Sequence, residues 1–317
     1  MLDGATGGNN AFAILALIKA YKAFDDIRYL ESARKIAKWI AGTLSDNSGI
    51  GYGGYYQEFA DGGEIPKPLL RGKSTENNAS IFAAFTSLAA ILDQSGRHME
   101  AWQWRRRADA AGEFVMAMYD SSSGCFNAGT VLEGTPFGPG IDPRGLQRGE
   151  DVINVLAFLD ANTIPVLALA NHPSYRNRIN WQQPVQYVLD RFKQSVEVNE
   201  RIFQGFNIVE DPIAGPDGIA WEFTAQAVLA MRSVNGLYGE SYFERDAGFY
   251  LEQIHQAQRF AAFGDGLGIT GSTLQNGDLL PPYEHCLKTP FRCIPQRVEL
   301  AATNWSIFAN QTYNIFL

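Results

Sequence analysis

Three acidic residues in this chain stand at the start of unusually apolar segments, each just after a loop rich in glycine and aromatics. They are Glu76 in Lys73-Ser74-Thr75-Glu76-Asn77-Asn78, Asp151 in Arg148-Gly149-Glu150-Asp151-Val152, and Glu222 in Asp217-Gly218-Ile219-Ala220-Trp221-Glu222. Carboxyl groups held in pairs do acid/base chemistry. One, protonated, donates to a leaving oxygen while the other acts as base or nucleophile, which is what cleavage of a glycosidic bond requires. Glu222 lies between Trp221 and Phe223; apolar surroundings favour the protonated form of a carboxyl, so it suits the acid role. A helix amino terminus favours the charged form, so Glu76 and Asp151 suit the base. Glu150 competes with Asp151, and Asp265 in Gly264-Asp265-Gly266 is a fourth candidate. Each has a plainer alternative: an acid in the first turn complements the helix dipole, and an Asp between glycines forms turns.

A sugar site also needs flat apolar faces. Tyr52, Tyr55, Tyr56, Trp221, Tyr283 and Trp305 lie near the same loops, although such rings more often serve the core. Arg71, Lys73 and Arg148 would bind acidic sugars or pair with the carboxylates; solvated surface is their default. Other chemistries lack their residues. None of the histidines, His98, His172, His255 and His285, pairs at i, i+4, the spacing of a helical zinc site. Tyr283-Glu284-His285-Cys286 has only Cys293 as an obvious companion ligand, too thin a set for zinc. Gly51-Tyr52-Gly53-Gly54 follows a helical pattern rather than a strand, which fails the context of a dinucleotide loop. There is no phosphate loop and no Gly-x-Ser-x-Gly elbow. No metal and no cofactor is expected.

The elements that must position these residues repeat. Asn10 to Phe24 is apolar nearly all round, as a helix buried on most sides should be. Leu30 to Leu44 instead carries one apolar stripe, with Glu31, Arg34, Lys35 and Lys38 facing away. The alternation recurs: Asn78 to Leu92 apolar, His98 to Tyr119 amphipathic; Val152 to Ala170 apolar with Pro165 kinking or ending it, Trp181 to Val198 amphipathic; Ile219 to Met231 apolar, Tyr242 to Phe260 amphipathic; then Leu300 to Phe308. Each outer helix leads into a loop such as Asp46 to Tyr56, Asp120 to Asn127, Phe203 to Asn207 or Phe263 to Gly268. Helical hairpins stack because one alone cannot bury its apolar faces. Long loops at one rim and short turns such as Asp25-Asp26-Ile27-Arg28 at the other fit an all-α (α/α) toroid with its site at the looped end. Residues 1–317 are read as a single such domain. Nine main helices are expected against the twelve of a complete six-hairpin ring. Either further helices precede residue 1 or the ring is incomplete at its N-terminal side.

The chain resembles the six-hairpin, (α/α)-toroid superfamily of carbohydrate-active proteins, in particular a group of bacterial glycosidase-like proteins. The resemblance rests on Thr6-Gly7-Gly8-Asn9-Asn10-Ala11, Tyr29-Leu30 with Gly51 to Tyr55, Lys73 to Asn78, Gly149 to Val152, Trp221 to Ala225 and Ala301 to Ala309. It implies a glycoside hydrolase acting on an oligo- or polysaccharide, of the inverting kind, with Glu222 as acid and Glu76 or Asp151 as base. The alternatives are a sugar epimerase or polysaccharide lyase on the same fold, and a non-catalytic carbohydrate-binding or scaffold protein.

Bulk properties set outer limits. In 317 residues, 46% are hydrophobic and 19% charged, enough for a large core and against disorder. A formal net charge of −8 with no basic stripe argues against a nucleic-acid partner. No stretch is long and apolar enough to span a bilayer. Met1-Leu2-Asp3-Gly4 is not the start of a signal peptide, and the compartment is left open. Cys286 and Cys293 are close enough to bridge, with Cys125 left over; three free thiols fit the sequence equally.

Overall fold

A computed structural model describes residues 5–59, 69–132, 147–210, 218–276, 286–288 and 293–317. Nine helices order these residues: α1 (Gly7–Phe24), α2 (Ile27–Thr43), α3 (Thr75–Gln94), α4 (His98–Ala117), α5 (Asp160–Leu169), α6 (Gln182–Arg191), α7 (Trp221–Tyr238), α8 (Glu244–Phe260) and α9 (Leu300–Gln311). Tyr283 lies outside the described residues.

Local chemistry sets the boundaries. Thr6 and Ser74 cap α1 and α3 by accepting the amide N–H groups of Asn9 and Asn77. The α1–α2 turn is made by Asp25 in the left-handed region (φ 52°), with Asp26 as N-cap of α2. On α2 only Leu30, Ala33, Ala37 and Ile40 are buried, one stripe at helical spacing. On α3 the burial runs nearly all round, from Thr75 to Leu92.

The chain forms two compact units. One comprises Leu2–Ala157, Asn171–Arg176 and Ile315–Leu317; the other comprises Phe158–Ala170 and Asn177–Asn314. The first holds the hairpins α1–α2 and α3–α4. Here α1 and α3 start side by side: a Cβ on Gly8 would lie 2.1 Å from Asn77 Oδ1 and 3.3 Å from Glu76 Oε1. Aromatic packing closes this core, with Phe82 edge-on to Tyr175 and Phe85 against Trp104. The second unit holds α5 to α9. Thr163, early in α5, donates to Gln226, early in α7. Arg232, late in α7, donates to the carbonyl of Ala309, late in α9. Within each unit the odd-numbered helices therefore run the same way and begin at a common end.

Three expectations are corrected. Asp151 does not start a helix: Asp151–Asn154 is a strand, and the helix begins at Asp160, with Pro165 inside it. Val152 and Ile153 are β-branched and pair with Val131 and Thr130, and sheet burial on both faces mimics a buried helix in sequence. The amphipathic helix expected to Val198 ends at Arg191, and Lys193–Val198 pairs with Arg201–Phe206 in an antiparallel hairpin. Asn199 and Glu200, both at positive φ (51° and 62°), make its two-residue turn. Phe203 to Asn207, expected as a loop, is therefore mostly strand.

Cys286 and Cys293 form a disulfide across a short antiparallel pair, and Cys125 lies outside it, buried. The loop closed is short, so chain entropy alone makes the bridge worth about 2–3 kcal/mol. Denatured, unreduced protein should titrate a single thiol with a disulfide reagent, and Cys286→Ser should lower the urea unfolding free energy by that amount.

Candidate functional site

The main candidate lies in the first unit, on a small sheet. Its strand order is Lys73–Ser74, Gly129–Leu132, Asp151–Asn154, Gln147–Arg148, all antiparallel. Thr130 pairs with Lys73 on one side and Ile153 on the other. Residues paired across a ladder share a face, and so do residues two apart. Lys73 and Asp151 thus project from the same face, though 78 positions separate them.

The loop after α2 brings Asp46 onto them. It is closed by Asp46 N–H to the Gly54 carbonyl and Tyr56 N–H to the Leu44 carbonyl. Asn78 pins it to α3, accepting the Tyr55 N–H and donating to the Tyr55 carbonyl. Lys73 Nζ then lies 2.5 Å from Asp46 Oδ2 and 2.5 Å from Asp151 Oδ2, with side-chain exposures of 0%, 4% and 7%. The Tyr52 amide also donates to Asp151 Oδ2 (3.2 Å). Asp46 Oδ1 accepts the Ser48 amide and the Tyr56 hydroxyl, each at 3.0 Å. The ammonium sits 5.3 Å from the Tyr56 ring centroid and 5.9 Å from that of Phe114.

Burial pushes the Asp46 carboxyl up, but the Lys73 and Ser48 hydrogen bonds outweigh it and bring the pKa down to about 2. Burial, then the bond to Asp46, pushes the Tyr56 phenol up to about 12. Above this cluster opens a pocket of about 50 Å³. Asp46 and Asp151 form its floor, Ser48, Ile50, Gly51 and Tyr56 its walls, and the exposed Arg71 and Glu150 its mouth. Its volume suits a single chemical group rather than a drug-sized ligand.

The other candidates are placed as follows. Glu76 is half-buried in the first turn of α3, with the Ser80 hydroxyl 3.4 Å from Oε1. Tyr55 is a core residue, 2% exposed, edge-on to Phe85. In the second unit Glu222 is half-buried in the first turn of α7, with Gln226 Nε2 at 3.4 Å. Trp221 is 0% exposed and its indole N–H donates to Thr273 Oγ1 (2.8 Å), so its ring faces the interior rather than a ligand. Trp305 is also buried, edge-on to Phe308. Asp265 closes its own turn by accepting the Leu267 and Gly268 amides. Sequence reasoning missed Asp46 as a site residue, and it missed Glu299. Glu299 precedes α9, and its Oε2 is buried without a hydrogen-bond partner among the described residues. Its only signal is an acid ahead of an apolar helix, the same signal that marked Glu222. Among the described residues no group of three or more His, Cys, Asp or Glu is arranged to hold a metal ion. No described helix is long and apolar enough to cross a membrane.

No protein-family model matches the chain, and no curated protein does. Solved structures do. A family 76 glycoside hydrolase from a bovine Bacteroides thetaiotaomicron strain matches with TM-score 0.55 and 15% identity, over 98% of this chain and 56% of its own. A family 76 mannosidase from Bacteroides thetaiotaomicron matches with TM-score 0.59 and 11% identity, over 98% and 71%. Cellobiose 2-epimerase from Bacillus thermoamylovorans gives 0.59 and 13%, over 98% and 72%. The fold is that of an (α/α) toroid. At such identities the likeness establishes the fold alone, and the chain spans little more than half the length of the first of these proteins.

The ion cluster has a pH signature. Asp46 titrates lower when folded (about 2) than when unfolded (3.8). Its stabilisation is therefore full above about pH 4 and is lost as pH falls through 2. Urea unfolding between pH 5 and about 2 should show this loss, and Asp46→Asn should flatten it. Lys73→Met leaves two buried carboxylates without their cation and should cost about 3–5 kcal/mol.

Proposed function

We propose that the protein is a carbohydrate-active enzyme, a glycoside hydrolase acting on an oligo- or polysaccharide by paired-carboxylate, inverting chemistry. Glu222 is the proton donor and Asp151 or Glu76 the base. The observation that carries this reading is Asp151: a carboxylate nine-tenths buried, ion-paired through one oxygen, at the floor of an open polar pocket. Asp151 lines that pocket and Glu76 does not, which favours Asp151 as the base. Tyr52 and Tyr56 remain the candidates for contact with the sugar; both are half-exposed.

A second reading, epimerisation, is supported by the cellobiose 2-epimerase of the same fold. Proton transfer there would need a His or Tyr. Among the described histidines, His172 is held in the first unit edge-on to Phe82, with burial lowering its pKa. His98 is paired with Asp93 on the surface. His255 lies on α8, 3.7 Å from Glu252. None of the three lines the pocket, whereas Tyr56 does, its hydroxyl donated to Asp46. A non-catalytic binding protein is the remaining alternative.

Product mass singles out hydrolysis, which adds water; epimerisation and binding both leave the mass unchanged, and chromatographic resolution of the epimers tells those two apart. On a polysaccharide that the wild type cuts, Glu222→Gln and Asp151→Asn should each lower release of reducing sugar by about 10²–10⁴-fold with the fold retained. Full activity in Asp151→Asn would move the base role to Glu76. Full activity in Glu222→Gln would remove the acid assignment.

A further inference from the structure

Resting on the reading of the Asp151 pocket as a sugar site, we infer that the pocket takes the ammonium arm of an amino sugar, ahead of a neutral sugar and against a uronate. The argument is one of which charges are already committed. Lys73 is the only lysine in the cluster, is fully buried, and is spent on Asp46 and Asp151. It cannot reach an anionic substrate. Asp46 uses its second oxygen on Ser48 and Tyr56. Asp151 does not: Oδ2 takes both Lys73 and the Tyr52 amide, and no hydrogen bond reaches Oδ1 from the described residues. The floor therefore offers an acceptor and no donor to a ligand, and because Oδ1 has two lone pairs an ammonium on one leaves the other for the attacking water.

Around the pocket Asp46, Glu150 and Asp151 face Lys73, Arg71 and Arg148, the last paired across the ladder from Asp151, so the surround as a whole is neutral, while the buried floor, two carboxylates on one ammonium, keeps one negative charge. Arg71 and Arg148 are both exposed to solvent, where a guanidinium is screened and holds a carboxylate weakly. Glu150 is a second free acceptor at the mouth. An ammonium brings three donors and the complementary charge, and charge-assisted hydrogen bonds are about twice as strong as neutral ones. A uronate brings like charge to a partly desolvated acidic floor. The volume, about 50 Å³, fits such an arm and not the ring that bears it.

The test is binding, not turnover. D-glucosamine, D-glucose and D-glucuronate are titrated by ligand-observed NMR at a pH where the amine is protonated, against wild type, Asp151→Asn and Glu150→Gln. Wild type should bind glucosamine at least about 10-fold tighter than glucose, the worth of one charge-assisted bond, with glucuronate weakest. Asp151→Asn should abolish the preference and Glu150→Gln should reduce it. Should Asp151→Asn fail to fold, Glu150→Gln, altered only at an exposed carboxyl, decides. Equal or tighter binding of glucuronate, an undiminished preference in the variants, or no binding of glucosamine overturns the inference. The hydrolase reading stands or falls separately. Cleavage of a polysaccharide without amino-sugar preference sinks only the inference. Amino-sugar preference without cleavage of any polysaccharide tested sinks only the hydrolase.

Discussion

One ammonium holds the candidate site together. Lys73 is fully buried, so its charge must be met by protein. Two carboxylates meet it, drawn from a loop after α2 and from a strand beyond α4. A buried ion group of this kind contributes little net stability when compared with an apolar replacement, but it fixes geometry. The loop of Asp46, the strand of Lys73 and the strand of Asp151 can close only in the arrangement that brings all three charges together. The Tyr56 hydroxyl and the Ser48 and Tyr52 amides then complete the hydrogen bonding around the two carboxylates.

The helices provide the frame for that closure. Within each unit the apolar helices start at a common end, so the loops and short strands that precede them also gather there. In the first unit this puts the capped start of α3 directly after the strand that carries Lys73. In the second it puts Glu222 and Glu299 at the starts of α7 and α9. Among the described residues between the helices, short strands pair with one another, so that their backbone groups are satisfied there.

Most of the helical frame was legible because helical burial leaves a long periodic record. The apolar run of α3 and the single stripe of α2 each extend over several turns, and both helices lie where their patterns place them. Strands leave a shorter record. Asp151–Asn154 is too brief to show a period, and the hairpin at Lys193 turns on Asn199-Glu200 rather than on the glycine that usually announces such a turn. The acidic residues were visible as types, but their partners were not. Asp46 and Lys73 are 27 positions apart and meet only through strand register and loop closure. Aromatic residues were the least legible: nothing in the types of Tyr55 and Trp221 distinguishes an interior ring from one open to a ligand, and burial decided both.

The glycines beside the pocket bear on how its selectivity can change. A Cβ on Gly51 would sit 2.6 Å from Asp151 Oδ2, and one on Gly149 would sit 2.9 Å from the Gly51 backbone nitrogen. That wall is bare main chain pressed against main chain and carboxylate, so it cannot be decorated without displacing the acid itself. Divergence toward a different ligand, in nature or by engineering, is therefore channelled to the opposite and outer positions. Ile50, Arg71 and Glu150 can vary there while the ionic floor stays as it is.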